Sequence, residues 1–180
     1  MRVLLTSVES LKKPKTLTVC AMFMAMSVVL GFYTIQIGDY LKIGFSSLVN
    51  ESIAYLFGPV IGCFFGAASD IIKYMVRPTG PFFFGFTLNA MLAGLMNGCI
   101  LYKKPPRLGR IFAAQLIVSL ICNILLGTYW LTLLYGKAFL VLLPPRLIKN
   151  LVMVPVNTLL LYSILKIMEG TGLEKILNQG

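Results

Sequence analysis

Histidine is absent from this 180-residue chain. That omission removes Ser-His-Asp and Cys-His catalysis together with the commonest metal ligand. Cysteine is sparse and scattered. Cys20, Cys63, Cys99 and Cys122 each lie inside an apolar run, and none has CxxC spacing. Isolated thiols of this kind support neither a zinc site nor a disulfide framework. Acids are few, six Asp/Glu against sixteen Lys/Arg, and charged residues of both signs make up only 12% of the chain. A typical soluble domain carries about 25%. There is no GxxxxGK phosphate loop, which excludes ATP hydrolysis by that route, and no HExxH or clustered-acid motif for an intramembrane enzyme. No enzymatic activity and no cofactor are expected.

What fills the chain instead is apolar. Hydrophobic residues reach 58% and the mean hydropathy is +0.86. A soluble fold of this size could not hide so much apolar surface, and the runs approach the ~20 residues that cross a bilayer as a helix. The expected fold is an all-α membrane protein, a compact bundle of six short transmembrane helices forming one domain over residues 1–180. Its spans are placed at about 17–37, 46–57, 59–74, 84–102, 111–130 and 145–168. The segment before the first span is polar and basic, with Lys12, Lys13 and Lys15. No small-residue cleavage pattern follows that span, so it reads as a transmembrane helix rather than a removed leader. The long apolar run from Leu48 to Met75 must be divided. Gly58-Pro59 sits near its middle, and proline cannot continue a helix from its amino side without losing a hydrogen bond.

The net charge is +10. The basic residues sit at the ends of apolar runs, which points to lipid surfaces rather than nucleic acid. With six spans, both termini lie on one side. Arg2, Lys12, Lys13, Lys15, Lys103, Lys104, Arg107, Arg110, Lys166 and Lys175 share that side, and the positive-inside rule makes it the cytoplasm of a plasma-membrane protein. Lys42, Lys73, Arg77, Lys137, Arg146 and Lys149 are left at the outer ends. Only Asp39, Glu51 and Asp70 accompany them, so the outer half carries surplus cations that call for an anion. Embedded acids are expensive and face protein or a watery cavity. Asp70, near a helix end, is expected to partner Lys73 or Arg77, whereas Glu51 is open to a structural or a ligand-contacting role.

The stretch from Thr128 to Asn150 concentrates these signals. It holds the only tryptophan, Trp130, with Tyr129, Tyr135, Lys137, Arg146 and Lys149, and no acid. A cluster of aromatics and cations between two apolar runs suits a pocket for an anionic, aromatic small molecule. Arg146 follows Pro144-Pro145 and is expected in the first turn of the last helix. Elsewhere, Arg77 lies beside the aromatic run Phe82-Phe83-Phe84-Gly85-Phe86. In the first span Ala21 and Ala25, four apart, share a face that lets another helix approach closely. Six short spans are few for a secondary transporter built from two repeats. The chain therefore reads as a binding component that borrows its energy from partners.

Three segments carry a resemblance to a known family. They are Ala21-Met22-Phe23-Met24-Ala25, the region from Gly85-Phe86-Thr87-Leu88-Asn89 to Asn97-Gly98, and the run NILLGTYWLTLLYGKAF followed by LPPRLIKN. Over nearly its whole length the chain resembles the substrate-binding S components of energy-coupling-factor (ECF) vitamin transporters, most closely the folate-specific type. The resemblance implies a substrate-specificity subunit of an ATP-driven importer that captures folate, or a related anionic vitamin, from outside the cell. It also implies a transmembrane coupling subunit that meets the Ala21/Ala25 face, and two cytoplasmic ATPases. Folate chemistry then assigns roles. Trp130 and Tyr135 could stack on its rings, and Asn89 and Asn123 could read the donors and acceptors of the pterin. Arg77, Lys137, Arg146 and Lys149 are candidates for its carboxylates, arginine being able to bind them bidentately. An S component for another anionic or aromatic vitamin, and a ligand-free membrane assembly subunit, are the alternative readings.

Overall fold

The computed structural model describes residues 14–37, 41–78, 81–136 and 139–171. Among the described residues seven α-helices run in order: α1 (Pro14–Phe32), α2 (Ser46–Phe57), α3 (Pro59–Val76), α4 (Phe84–Leu101), α5 (Leu108–Val118), α6 (Gly127–Tyr135) and α7 (Phe139–Gly170). A π-helical segment, Ser119–Leu126, joins α5 to α6 without a break. The helices make the fold all-α, with one small addition. Ile35–Ile37 (β1) and Leu41–Ile43 (β2) form an antiparallel pair in which Gln36 faces Lys42.

The bundle is wrapped around α2. None of its residues is exposed, and Leu48, Val49 and Glu51 through Phe57 are fully buried. A helix that is covered on all sides belongs to the interior of the assembly rather than to its lipid boundary. Its twelve residues span ~18 Å, well short of a ~30 Å hydrocarbon core. Among the described residues five longer stretches have the length and apolarity to cross a membrane: Pro14–Phe32, Pro59–Val76, Phe84–Leu101, Leu108–Leu134 and Leu140–Gly170. They carry many exposed large apolar side chains, among them Leu140, Leu151, Met22 and Phe64, as lipid-facing helices must.

Gly58 separates α2 from α3. Its φ of 93° is accessible to glycine at little cost, and Pro59 opens α3 at a position where its missing N–H is no loss. α3 and α4 then pack backbone to backbone. A Cβ on Gly62 would stand 2.7 Å from the Ala54 side chain and 2.9 Å from the Gly94 carbonyl oxygen. A Cβ on Gly66 would stand 2.5 Å from the Ala90 carbonyl oxygen. Small residues at i and i+4 on both helices permit this approach, which lets dispersion hold the pair where lipid offers no hydrophobic drive. Buried polar bridges tie other helices in. The hydroxyls of Ser27 (α1) and Ser69 (α3) lie 2.9 Å apart, and Gln115 (α5) donates to the Glu51 carboxylate (α2) at 2.5 Å.

Three expectations need correction. The first span does not continue to Ile37: α1 ends at Phe32, and Ile35–Ile37 is a strand. Alternating β-branched residues fit a pleated surface better than a helix. The last helix starts at Phe139, with Pro144 and Pro145 inside it, so Arg146 sits well within α7 rather than in its first turn. Membrane helices accommodate internal proline because neighbouring groups re-satisfy the freed carbonyls. The fifth span is longer than residues 111–130, running on through the π-helical segment to Tyr135.

The two ends of the bundle differ. One end is solid, filled by Ile53, Leu56 and Phe57 of α2 with Leu101, Ile111, Leu161, Leu165 and Met168. At the other end Ser46, Ser47, Asn50 and Glu51 of α2 line a cavity, while Leu48 and Val49 between them stay in the core.

Candidate functional site

The cavity has a volume of about 430 Å³, within the ~300–1,000 Å³ usual for small-molecule sites. Its wall is drawn from α1, α2, α3, α4, the π-helical segment, α6 and α7. Four cations line it, Lys73, Arg77, Arg146 and Lys149, against two acids, Glu51 and Asp70. Two positive charges are left uncompensated. Four amides, Asn50, Asn89, Asn97 and Asn123, and the rings of Phe82, Phe83, Phe86 and Tyr74 complete the wall.

Several of these polar groups are buried and unsatisfied. The side-chain oxygens of Asn50, Asn89 and Asn97 and one terminal nitrogen of Arg146 have no hydrogen-bond partner. Buried polar groups are nearly always paired, and each exception asks for a reason. Four of the eight such groups among the described residues lie on the wall of this one cavity, where a polar ligand could satisfy them. The Arg146 guanidinium reaches the cavity across Gly127, where a Cβ would lie 2.9 Å from Nη2 and 3.2 Å from Nη1. A glycine at the start of α6 is thus the opening through which this arginine is presented. Asn150 fastens the same turn of α7, its Nδ2 donating to the Arg146 carbonyl at 2.9 Å.

The other charged groups are partly engaged. Arg77 donates to the Phe32 carbonyl at 2.6 Å and so caps the end of α1. Lys73 lies 3.4 Å from the Ser46 hydroxyl, and its stem rests on Gly31. Asp70 takes a hydrogen bond from Thr87 at 2.8 Å. It makes no direct ion pair with Lys73 or Arg77, whose nitrogens reach other oxygens, but its charge still acts on Lys73 as expected.

A family model for the ECF transporter substrate-specific component matches residues 15–165. The chain belongs to this family. As an S component it is 31% identical over 160 residues to the folate transporter FolT of Clostridium novyi, a match covering 88% of this chain and 92% of that protein. It is 33% identical over 151 residues to FolT of Leuconostoc mesenteroides, covering 81% of each. Among solved structures it is similar to FolT bound with folic acid, with a TM-score of 0.79, 32% identity, and coverage of 84% of this chain and 93% of that one. The S component for biotin from an ECF-type transporter shares the fold, with a TM-score of 0.61 at 21% identity, covering 84% and 91%.

The cavity of this S component brings together five of the residues singled out in the sequence: Arg77, Asn89, Asn123, Arg146 and Lys149. Trp130 is not among them. Its ring stands behind Phe83, centroids 5.6 Å apart, and beside Tyr129 at 5.2 Å. Gly85 leaves room for it, since a Cβ there would lie 2.6 Å from the indole. Phe83 therefore offers the ring at the wall, and Trp130 backs it. Lys137 and the Tyr135 side chain lie outside the described residues. Ala21 and Ala25 are exposed on α1, away from the cavity. Sequence reasoning missed Lys73, Asn50 and Asn97 as wall residues. A lysine one turn before Arg77 and an asparagine beside Glu51 were the available signals.

Proposed function

We propose that this S component captures folate from outside the cell and hands it to a coupling subunit driven by two ATPases. The observation that carries the folate reading is the charge and polarity of one cavity. Its two uncompensated positive charges match the two carboxylates of folate's glutamate tail, and its unsatisfied amides match a heterocycle rich in donors and acceptors. Arg146 and Lys149, on successive turns of α7, clamp the carboxylates, arginine with its planar fork and lysine as a point charge. The rings of Phe83 and Phe86, 6.0 Å apart, offer aromatic surface for the pterin and aminobenzoyl rings. Two relatives at 31% and 33% identity named as folate transporters, and a related fold solved with folic acid, support the same ligand.

The same reading orients the protein. Lys103, Lys104, Arg107, Arg110 and Lys166 gather around the α4–α5 turn and the end of α7, at the solid end of the bundle. By the positive-inside rule that end is cytoplasmic and the cavity faces outward. Both termini are then cytoplasmic. The exposed Ala21/Ala25 face, flanked by Met22 and Met26, gives the coupling subunit a smooth helix to dock on.

The purified protein should bind folic acid with one-to-one stoichiometry in a calorimetric titration. A vitamin panel in which folates fail and another anionic vitamin binds would reassign the substrate within the family.

A further inference from the structure

Glu51 is the one acid buried on α2, and the capture of an anion gives it no role. It is only 6% exposed, lines the cavity and lies inside a membrane protein, where an ionisable side chain is costly and calls for a function. Gln115 donates one hydrogen bond to it, and no cation pairs with it among the described residues. A carboxylate has about four acceptor sites, so a single amide leaves most of its capacity unused. The same cavity wall carries the buried side-chain oxygens of Asn50 and Asn97, unpartnered among the described residues, with Asn97 only 1% exposed. The four cations of the wall stand on α3 and at its end and on α7, with Arg77 exposed. Acceptors on α2 and α4 and cations on α3 and α7 suit a ligand that is anionic at one end and rich in N–H groups at the other.

We propose that Glu51 is a specificity-determining residue whose carboxylate accepts the adjacent amino and ring N–H groups of a 2-amino-4-oxo-pyrimidine edge. This rests on the folate reading and deepens it, placing the pterin against Glu51 of α2 and the glutamate tail at Arg146 and Lys149 of α7. Two parallel donors on a flat heterocycle match the two oxygens of a carboxylate in the same way that a guanidinium fork does. Gln115, 5% exposed and reaching across from α5, is the positioning residue that holds the carboxylate in its orientation.

The test measures affinity for folic acid and for its 2-desamino analogue, using the full-length protein in detergent. Wild type should prefer folic acid by about 10- to 100-fold, the range for a lost charge-assisted hydrogen bond in a site built to use it. Glu51→Gln should reduce that preference to less than about threefold. The double exchange Glu51→Gln with Gln115→Glu keeps a hydrogen-bonded acid–amide pair and the net charge, but moves the acid to α5, outside the cavity wall. It should melt near the wild-type temperature and still lose the preference. A wild type that binds folic acid, with variants that keep full discrimination, overturns the Glu51 assignment alone. A wild type that does not bind folic acid overturns the folate reading and this assignment with it.

Discussion

Removing the Arg146 side chain should affect binding and stability in opposite directions. Its guanidinium lies over Gly127 at the cavity wall, and one of its nitrogens is buried without a partner. In the ligand-free protein this is a partly desolvated charge with no ion-pair partner among the described residues, which is an unfavourable arrangement. On the proposed function, ligand binding makes it half of a hydrogen-bonded pair with a carboxylate. Truncating one partner of such a pair costs ~2–5 kcal/mol, which corresponds to a dissociation constant raised roughly 30- to 4,000-fold. The ligand-free Arg146→Ala protein, relieved of an unpaired charge, should melt at or above the wild-type temperature. Arg146→Lys keeps the charge and loses the planar fork, so its binding should fall by about tenfold. Calorimetric titration with folic acid gives the affinities, and melting curves in detergent with and without folic acid give both stabilities. The stabilisation by ligand must shrink in proportion to the weakened affinity. An Arg146→Ala protein that binds folic acid within threefold of wild type would refute the reasoning. So would one whose ligand-free melting temperature collapses, since Arg146 would then be a structural residue.

Three further outcomes follow from the same geometry. Trp130 is the sole tryptophan and stands one ring behind the cavity wall, so folic acid should quench its emission. Trp130→Phe should abolish that signal while calorimetry shows an affinity within about threefold of wild type, as suits a backing ring that loses only part of its packing. Gly94→Ala pushes a methyl into the Gly62 backbone. Overpacking of this kind costs ~1–3 kcal/mol, or roughly 2–12 °C of melting temperature for a chain of this size. Ala25→Leu adds bulk to an exposed face of α1. It should leave folic acid affinity unchanged and reduce co-purification of the coupling subunit; normal co-purification would remove that face from the proposed interface.

The positions of the helices were largely legible, because lipid imposes simple rules. A bilayer demands long apolar helices, and the runs later seen as α3 and α4 satisfy that demand almost residue by residue. Gly58-Pro59 marks the break before α3 through proline chemistry alone. The strand at Ile35–Ile37 was harder to see, since an Ile-rich segment next to an apolar helix reads as more helix until a partner strand pairs with it. The start of α7 was misplaced for a related reason. Two prolines signal a helix boundary locally, yet α7 begins a full turn before them, at Phe139.

By itself the sequence determined the solvent this protein lives in, the helical class and the surplus of cations over acids. These follow from composition and periodicity, which each segment carries within itself. Only the tertiary structure decided which polar groups share a cavity. It committed Arg77 in part to the Phe32 carbonyl, placed Trp130 behind Phe83 and joined Glu51 to Gln115, 64 positions away. A helix's own pattern tells which of its faces are polar. It does not tell which neighbour meets each face, because that choice is made by small residues packing backbone to backbone, as Gly62 and Gly94 do here.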